Sequence, residues 1–75
     1  MFTLFTSNTC PNCKSLKIWL ANKNIDYDEA NVSTDFKAKA LLLSFGVMSV
    51  PSALINEHII VGIDRIKDLL EVPKE

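Results

Sequence analysis

The chain has 75 residues, of which 48% are apolar and 23% charged, and this composition is typical of a folded domain rather than a disordered segment. Its formal net charge of −1 excludes a general electrostatic attraction to nucleic acid or to anionic membranes. No apolar run approaches the roughly 18 residues of a transmembrane helix, and the length allows one core, so residues 1–75 are predicted to form a single domain.

The first part of the chain predicts a strand, a helix and a second strand. Residues 1–5 form an apolar run typical of a strand, and the letters TSNT predict the loop that follows. Pro11 favours the first turn of a helix, where its missing N–H is not needed, and the helix ends near residues 21–24. Its broad apolar face comprises Cys13, Leu16, Ile18, Trp19 and Leu20. The weak alternation over residues 25–32 predicts a half-buried strand.

A second helix is predicted in the middle of the chain. Its first turn is expected to be capped by Ser33 or Thr34, whose side-chain oxygen can accept a backbone N–H, and Gly46 ends it. The residues predicted to face the core lie at helical spacing, namely Phe36, Ala40 and Leu43.

The remainder of the chain predicts a β-hairpin and a third helix. Residues 52–61 are the hairpin candidate, with SALI and HIIV as its strands and the letters NE as a tight turn. Gly62 and Asp64 introduce the last helix, with Asp64 as its expected cap, and the letters VPKE are expected to fray. The packed side of this helix is predicted to consist of Ile63, Ile66 and Leu70.

The predicted order of elements is β-α-β-α-β-β-α. The β-α-β opening requires a parallel, right-handed crossover, whereas the closing hairpin requires an antiparallel pair. A four-stranded mixed sheet with helices on both of its faces satisfies both requirements. The expected fold class is therefore α/β.

The two cysteines, Cys10 and Cys13, lie where the first strand meets the first helix, and several uses of them can be compared. A structural disulfide would contribute little, because closing four residues is worth about 1.9 kcal/mol against about 3 kcal/mol for fifteen. A zinc site needs four ligands, and His58 in the hairpin is the only other soft donor. Copper-carrying domains place C-x-x-C at such a junction, but they usually carry Met where Asn8 stands and have β-α-β-β-α-β order. A metal- or cluster-binding carrier is the alternative function.

Thiol–disulfide exchange fits the position of the pair better. A cysteine at a helix N-terminus faces unsatisfied N–H groups and the positive end of the helix dipole, which lower its pKa and favour the attacking thiolate. Cys10 is predicted to occupy that position, and Pro11 fixes the first turn. Cys13 follows three residues later on the same face, so it can resolve a mixed disulfide.

Pro51 begins an apolar strand and follows Val50 in the motif SVP. Proline lacks the backbone donor and is restricted to strand edges or strand starts. Together with the cysteine pair, this motif predicts a cis Val50–Pro51 peptide bond, although cis bonds are only about 5–6% of all X–Pro bonds. Such a bond would turn the backbone groups of Val50 outward, toward the main chain of a bound thiol partner.

Three motifs in this order, TCPNC, SVPSALI and VGID, make the chain similar to the glutaredoxins and glutaredoxin-like redoxins of the thioredoxin superfamily over essentially its whole length. The resemblance implies a thioredoxin-like fold and the reduction of protein disulfides or glutathione mixed disulfides. It implies no tightly bound cofactor, with glutathione as a co-substrate. Cys10 resembles the nucleophile and Cys13 the resolving thiol. The implied thiol-peptide or glutathione groove is lined by Val50, Pro51, Gly62 and Asp64.

Four positions differ from the glutathione-using members of that family. Ser7 stands where a lysine often meets a glutathione carboxylate, and Asn12 replaces the tyrosine of the usual PYC. Val61 and Arg65 interrupt the usual double glycine followed by two acidic residues. Each change weakens glutathione recognition and leaves the dithiol chemistry intact. The implied electron donor is therefore glutathione or thioredoxin reductase, with disulfide-containing proteins, ribonucleotide reductase among them, as partners.

The chain is also expected to be a cytoplasmic monomer. Its first residues, MFTLFTSN, lack the basic region and the long apolar region of a secretory signal. An exported protein of this size would usually spread four or more cysteines along the chain. Lys14, Lys37 and Lys39 are expected to be solvated rather than to serve the site.

Overall fold

The computed structural model describes residues 2–71. Its elements are β1 (Phe2–Thr6), α1 (Pro11–Asn22), β2 (Tyr27–Asn31), α2 (Phe36–Ser44), β3 (Ser52–Ile55), β4 (His58–Val61) and α3 (Ile63–Leu70). This order confirms the predicted β-α-β-α-β-β-α. The predicted start of the first strand at Met1 and the predicted fraying of VPKE lie outside the described residues. Among residues 2–71, no helix combines the length and the apolar character needed to cross a bilayer.

The four strands form one mixed sheet, which confirms the predicted sheet type, and their order in the sheet is β2-β1-β3-β4. β1 runs parallel to β2, with Phe5 opposite Ala30. The two strands are parallel because α1 returns the chain to the end of the sheet at which β1 started. β3 runs antiparallel to β1, with Phe5 opposite Ser52, and β4 continues the sheet as the second strand of a hairpin. β1 therefore lies inside the sheet, between β2 and β3. The end of β1 that leads toward α1 lies beside the start of β3.

The hairpin has the predicted bounds. Its two-residue turn places Asn56 and Glu57 at φ angles of 50° and 69°, the left-handed conformations that match a tight turn to the twist of its strands. The strands of the first half differ slightly from prediction. β1 extends through Thr6, which pairs with Asn31, and β2 is shorter than the predicted segment because its pairing with β1 begins at Tyr27.

The core lies on both faces of the sheet, because successive residues of β1 point to opposite sides. Leu4 faces α1 and α3, whereas Phe5 faces α2. The larger cluster consists of Phe2, Leu4, Leu16, Leu20, Ala53 and Ile66. The smaller cluster consists of Phe5, Ala38 and Leu42. Helices therefore cover both faces, and the predicted packing of Ile63, Ile66 and Leu70 is confirmed.

The prediction for α2 was wrong in its cap and in its buried face. Asp35, rather than Ser33 or Thr34, is the N-cap, and its Oδ1 accepts from the backbone N–H groups of Lys37 and Ala38 at 3.0 and 3.3 Å. The buried residues are Ala38 and Leu42. The three residues expected in the core, namely Phe36, Ala40 and Leu43, are exposed. The side of α2 that carries Ala38 and Leu42 packs against Phe5 of the sheet instead.

The predicted cap of α3 was also wrong. Gly62 is the N-cap, and Asp64 lies in the first turn without a capping hydrogen bond from its side chain. The strand passes into the helix through this one residue, whose φ of +99° and ψ of 143° belong to a region that is essentially restricted to glycine. Backbone geometry rather than a side-chain oxygen therefore starts this helix.

Gly62→Ala is expected to lower the free energy of unfolding by about 1–3 kcal/mol, because a Cβ makes this backbone conformation strained. A Cβ at Gly62 would meet nothing within 4 Å, so the loss would come from the backbone and not from a collision. Gly46→Ala is the matched control, since Gly46 also has a positive φ, of +75°, and an added Cβ there would also meet nothing within 4 Å. We expect this substitution to lower the free energy of unfolding by about 1 kcal/mol. Urea unfolding of the three proteins measures both changes, and an unchanged Gly62→Ala midpoint would contradict the assignment.

Candidate active site

The sheet brings the two predicted site segments, one around Cys10 and one around Val50, together at one end of its two inner strands. β1 ends at Thr6 and leads toward Cys10, while the antiparallel β3 begins at Ser52, directly after Val50 and Pro51. The Cys10 Sγ lies 3.7 Å from the carbonyl oxygen of Val50. A protonated Cys10 thiol could donate to this oxygen, so the two motifs meet at the sulfur atom.

Cys10 is the N-cap residue of α1, as the sequence predicts. Its backbone is extended, at φ −109° and ψ 102°, and Pro11 occupies the first helical position. The backbone N–H of Cys13 donates to Cys10 Sγ over 3.1 Å. The Cys10 sulfur is thus the acceptor at the N-terminus of α1, the position at which a hydrogen-bond donor stabilises a thiolate more than a thiol.

Cys10 and Cys13 form a disulfide, with their Cα atoms 5.2 Å apart. The two residues differ in exposure: Cys13 is 1% exposed, whereas Cys10 is partly exposed. A depression of about 250 Å³ opens beside Cys10, and it is lined by Asn8, Thr9, Cys10, Pro11 and Lys14. An incoming thiol can therefore reach the Cys10 sulfur of this disulfide, whereas Cys13 is shielded from solvent.

The Val50–Pro51 peptide bond is cis, which confirms the prediction from the SVP motif. Pro51 is buried and Val50 is half-buried. The backbone N–H of Gly62 donates to the carbonyl oxygen of Pro51 at 3.0 Å, so the turn between β4 and α3 lies against the cis-proline segment. Asp64 is exposed in the first turn of α3. The predicted binding roles of these four residues stay predictions.

Three polar residues near the site were missed by the sequence analysis. Asn8, Asn31 and Ser33 join the loop before Cys10 to the segment between β2 and α2 through hydrogen bonds of 2.8 to 3.1 Å. The pairing of Thr6 with Asn31 in a parallel β1–β2 register was the signal that could have placed these segments together. Local sequence alone does not contain such a contact, because it spans more than twenty residues.

Thr6, Glu29 and Lys17 form a second set of hydrogen-bonded polar side chains, at the end of β1 from which the same loop leaves. The buried hydroxyl of Thr6 donates to Glu29 Oε2 at 2.7 Å, and Lys17 Nζ donates to the same oxygen at 2.9 Å. The hydrogen bond from Lys17 and then that from Thr6 hold the pKa of Glu29 below its ordinary value, against the opposing effect of partial burial. This group links α1 to β2 by way of the end of β1.

Glu29→Gln is expected to reduce stability at neutral pH and to have little effect in acid. Because the pKa of Glu29 is lower in the folded protein, its contribution is fully present above about pH 5 and is lost as pH falls through that lowered pKa. The side chain of Glu29 is 34% exposed, so solvent screening limits the difference to about 0.5–1 kcal/mol. Urea unfolding at pH 7 and pH 3 tests this prediction. In a Lys17→Met background, Glu29→Gln should change the free energy of unfolding by nearly the same amount at both pH values. A loss of stability in Glu29→Gln that is larger at pH 3 than at pH 7 would contradict the prediction.

Metal ligands do not gather around the disulfide. Across residues 2–71, no three side chains of His, Cys, Asp or Glu are grouped so that they could hold a metal ion. His58 lies exposed on β4, within the hairpin. Within that part of the chain, Cys10 and Cys13 are therefore not grouped with a third such side chain.

The fold is thioredoxin-like and carries a C-x-x-C redox disulfide. It combines the mixed sheet with an N-cap Cys10 that is disulfide-bonded to Cys13 and with the cis Pro51 beside it. The family model for glutaredoxin matches residues 2–60, and the chain belongs to the glutaredoxin family.

Individual relatives agree with this assignment over nearly the whole chain. The chain is 38% identical over 66 residues to the glutaredoxin-like 8.6 kDa protein in the rubredoxin operon of Clostridium pasteurianum, covering 87% of this chain and 88% of that protein. The crystal structure of the thioredoxin-like protein BC3987 matches with a TM-score of 0.80 and 28% identity over 95% of this chain and 97% of that one. The glutaredoxin-like NrdH-redoxin from Escherichia coli, described as having a thioredoxin-like activity profile, matches with a TM-score of 0.77 and 26% identity over 96% and 97% of the chains.

Proposed function

We propose that this protein is a dithiol oxidoreductase that reduces disulfides through Cys10 and Cys13. The observation that carries the proposal is the unequal placement of the two sulfurs. Cys10 is accessible at a helix N-cap and accepts the N–H of Cys13, whereas Cys13 is buried behind it. An accessible, activated sulfur followed by a shielded one is the arrangement that a two-step exchange requires.

The proposed reaction passes through one mixed disulfide. The Cys10 thiolate attacks a sulfur of the substrate disulfide, the substrate S–S bond breaks, and one substrate thiolate leaves. Cys13 then loses its proton and attacks the Cys10 sulfur of the mixed disulfide, which releases the second substrate thiol. The substrate gains two electrons and the enzyme loses two, leaving the Cys10–Cys13 disulfide. A donor dithiol, or two molecules of glutathione, returns these electrons.

A flavoprotein of the thioredoxin-reductase type is the favoured electron donor, with glutathione as the alternative. Ser7 stands where glutathione-using members present a lysine, and Asn12 stands where they present an aromatic ring. Arg65 places a cation where an acidic residue is usual. The likeness to a redoxin with a thioredoxin-like activity profile supports the same choice. The proposed substrates are disulfide-containing proteins of the cytoplasm, ribonucleotide reductase being one candidate. Val50, Pro51, Gly62 and Asp64 are proposed to line the groove for the substrate chain.

A coupled assay tests both the activity and the donor. Reduction of a protein disulfide is followed as NADPH consumption with either thioredoxin reductase, or glutathione and glutathione reductase, as the recycling system. We expect turnover with thioredoxin reductase and at least about tenfold less with the glutathione system, a difference of about 1.4 kcal/mol in transition-state free energy. The reverse ratio would assign glutathione as the donor, and the absence of turnover with both systems would overturn the proposed activity.

A further inference from the structure

A closed ring of hydrogen bonds lies immediately before the redox disulfide. Asn31 Nδ2 donates to Asn8 Oδ1 at 2.8 Å, the backbone N–H of Asn8 donates to Ser33 Oγ at 3.1 Å, and the backbone N–H of Ser33 donates to Asn31 Oδ1 at 2.8 Å. Each residue donates once and accepts once. The three residues are called the loop clasp below.

The base of the loop clasp is fixed to the sheet. Asn31 is the last residue of β2 and is paired with Thr6 of β1. The N–H of Val32 donates to the carbonyl oxygen of Thr6 at 2.8 Å, and the N–H of Asp35 donates to the carbonyl oxygen of Asn31 at 2.9 Å. The amide of Asn31 has one orientation that satisfies the ring, since its oxygen must face Ser33 and its nitrogen must face Asn8. The clasp therefore transfers the rigidity of the β1–β2 pair to the loop.

The free end of the loop clasp lies next to the nucleophile. Asn8 is two residues before Cys10 and lines the depression beside it. Cys10 receives the N–H of Cys13 only while it keeps the extended N-cap conformation. Pro11 and the helix constrain this residue from the C-terminal side, and the segment from Thr6 to Cys10 must constrain it from the other side. The ring joins this segment to residues more than twenty positions away.

We propose that Asn8, Asn31 and Ser33 are positioning residues that hold Cys10 at the N-cap of α1 in its reactive geometry. This inference rests on the proposed function, in which Cys10 is the attacking sulfur. None of the three needs to touch the substrate sulfur, and Asn31 and Ser33 act through Asn8. When the ring is opened, the loop samples more conformations, and Cys10 spends less time with its sulfur opposite the N–H of Cys13.

The test measures the Cys10 thiol directly and does not depend on turnover. In a Cys13→Ser background, which leaves one thiol and keeps the backbone N–H of residue 13, the alkylation rate by iodoacetamide is recorded against pH. Asn31→Ala is the principal variant, since its side chain is absent from the lining of the depression. We expect the Cys10 pKa to rise by about half a unit, which slows alkylation about threefold at a fixed pH below that pKa. Lys14, the cation at the depression, is unchanged throughout.

A second pair of variants separates positioning from simple loss of stability. Ser33→Ala removes the oxygen that accepts from Asn8, and Ser33→Thr keeps a hydroxyl, so the first should raise the Cys10 pKa and the second should restore most of the original value. Ser44→Ala is the matched control, because it removes one exposed hydrogen bond, to Leu41, at the far end of α2. Its melting temperature is expected to change by an amount similar to Ser33→Ala, without a change in the thiol.

The possible outcomes are distinct. A raised Cys10 pKa in Asn31→Ala and Ser33→Ala, restored in Ser33→Thr, supports the inference. A lower melting temperature with an unchanged Cys10 pKa overturns it and leaves the ring a purely structural feature. If Asn31→Ala does not fold, the Ser33 pair alone decides. A raised pKa in a protein without disulfide reductase turnover would retain the positioning role and reject the proposed function.

Discussion

Cys10→Ser is expected to lose at least about 10³-fold of the disulfide reductase turnover, down to the background of the assay. A serine oxygen at this N-cap can accept the N–H of residue 13 as the sulfur does, so the fold is retained. It cannot form a disulfide, however, and the attacking step has no substitute because the second sulfur is buried. Turnover in the thioredoxin reductase-coupled assay measures the loss.

Ser15→Ala is a suitable control for this experiment. Ser15 is exposed on the same helix, so its removal tests a surface change near the site without touching either sulfur. Its turnover should stay within about twofold of the original protein. Reduced Cys10→Ser should also unfold at a urea concentration close to that of the reduced original protein. Turnover of Cys10→Ser above a tenth of the original would reject Cys10 as the nucleophile.

Cys13→Ser is expected to stop the reaction after its first step and to accumulate a covalent adduct through Cys10. Without a resolving sulfur, the mixed disulfide lasts until an external thiol attacks it. Incubation with a small disulfide substrate should shift nearly all of the protein by the mass of one half of that substrate, as seen by intact-protein mass spectrometry. Peptide mapping should place the modification on Cys10.

The double variant Cys10→Ser with Cys13→Ser is the control for non-specific attachment, and it should remain unmodified. Cys10→Ser alone should modify slowly, since the remaining thiol at Cys13 is only 1% exposed in the folded protein. Equal adduct formation by the two single variants would show that the difference in burial does not assign the roles. Rapid adduct formation by Cys10→Ser alone would reverse them.

The hairpin and the redox motif could be predicted because their signals are local. SALI and HIIV are apolar runs separated by two turn residues, and strand pairing there needs no distant partner. Pro11 after Cys10 is a helix-start signal that operates within one turn. The cis proline was predicted only by combining two separate motifs, which the sheet brings together at Cys10 and Val50.

The face and caps of the helices could not be predicted as well, for physical reasons. α2 contains Leu41, Leu42 and Leu43 in succession, so several of its sides are apolar, and contact with Phe5 of the sheet decides that Leu42 is buried. Asp64 has a capping residue type, but β4 ends at Val61 and α3 begins at Ile63, so only Gly62 lies between them and Asp64 falls inside the helix.

The loop clasp and the Thr6–Glu29–Lys17 group were outside the reach of sequence analysis for a different reason. Their members are polar residues from separate elements, and each taken alone is typical of an exposed surface. Only the parallel pairing of β1 with β2 assembles them beneath the segment that carries Cys10. The Thr6–Glu29–Lys17 group holds the last residue of β1, and the loop clasp holds the loop that follows it.

Trp19 gives the molecule a built-in optical probe. It is the only tryptophan of the chain, and it lies on the helix whose first turn carries the disulfide, half-buried with the ammonium groups of Lys23 and Lys67 at 5.3 and 5.7 Å from its ring. Since Lys23 is the C-cap of α1 and Lys67 lies on α3, separation of these helices changes the charge around the indole. Its emission spectrum can therefore follow loosening of this helix pair in oxidised and reduced protein without any label, and without consuming the sulfurs under study.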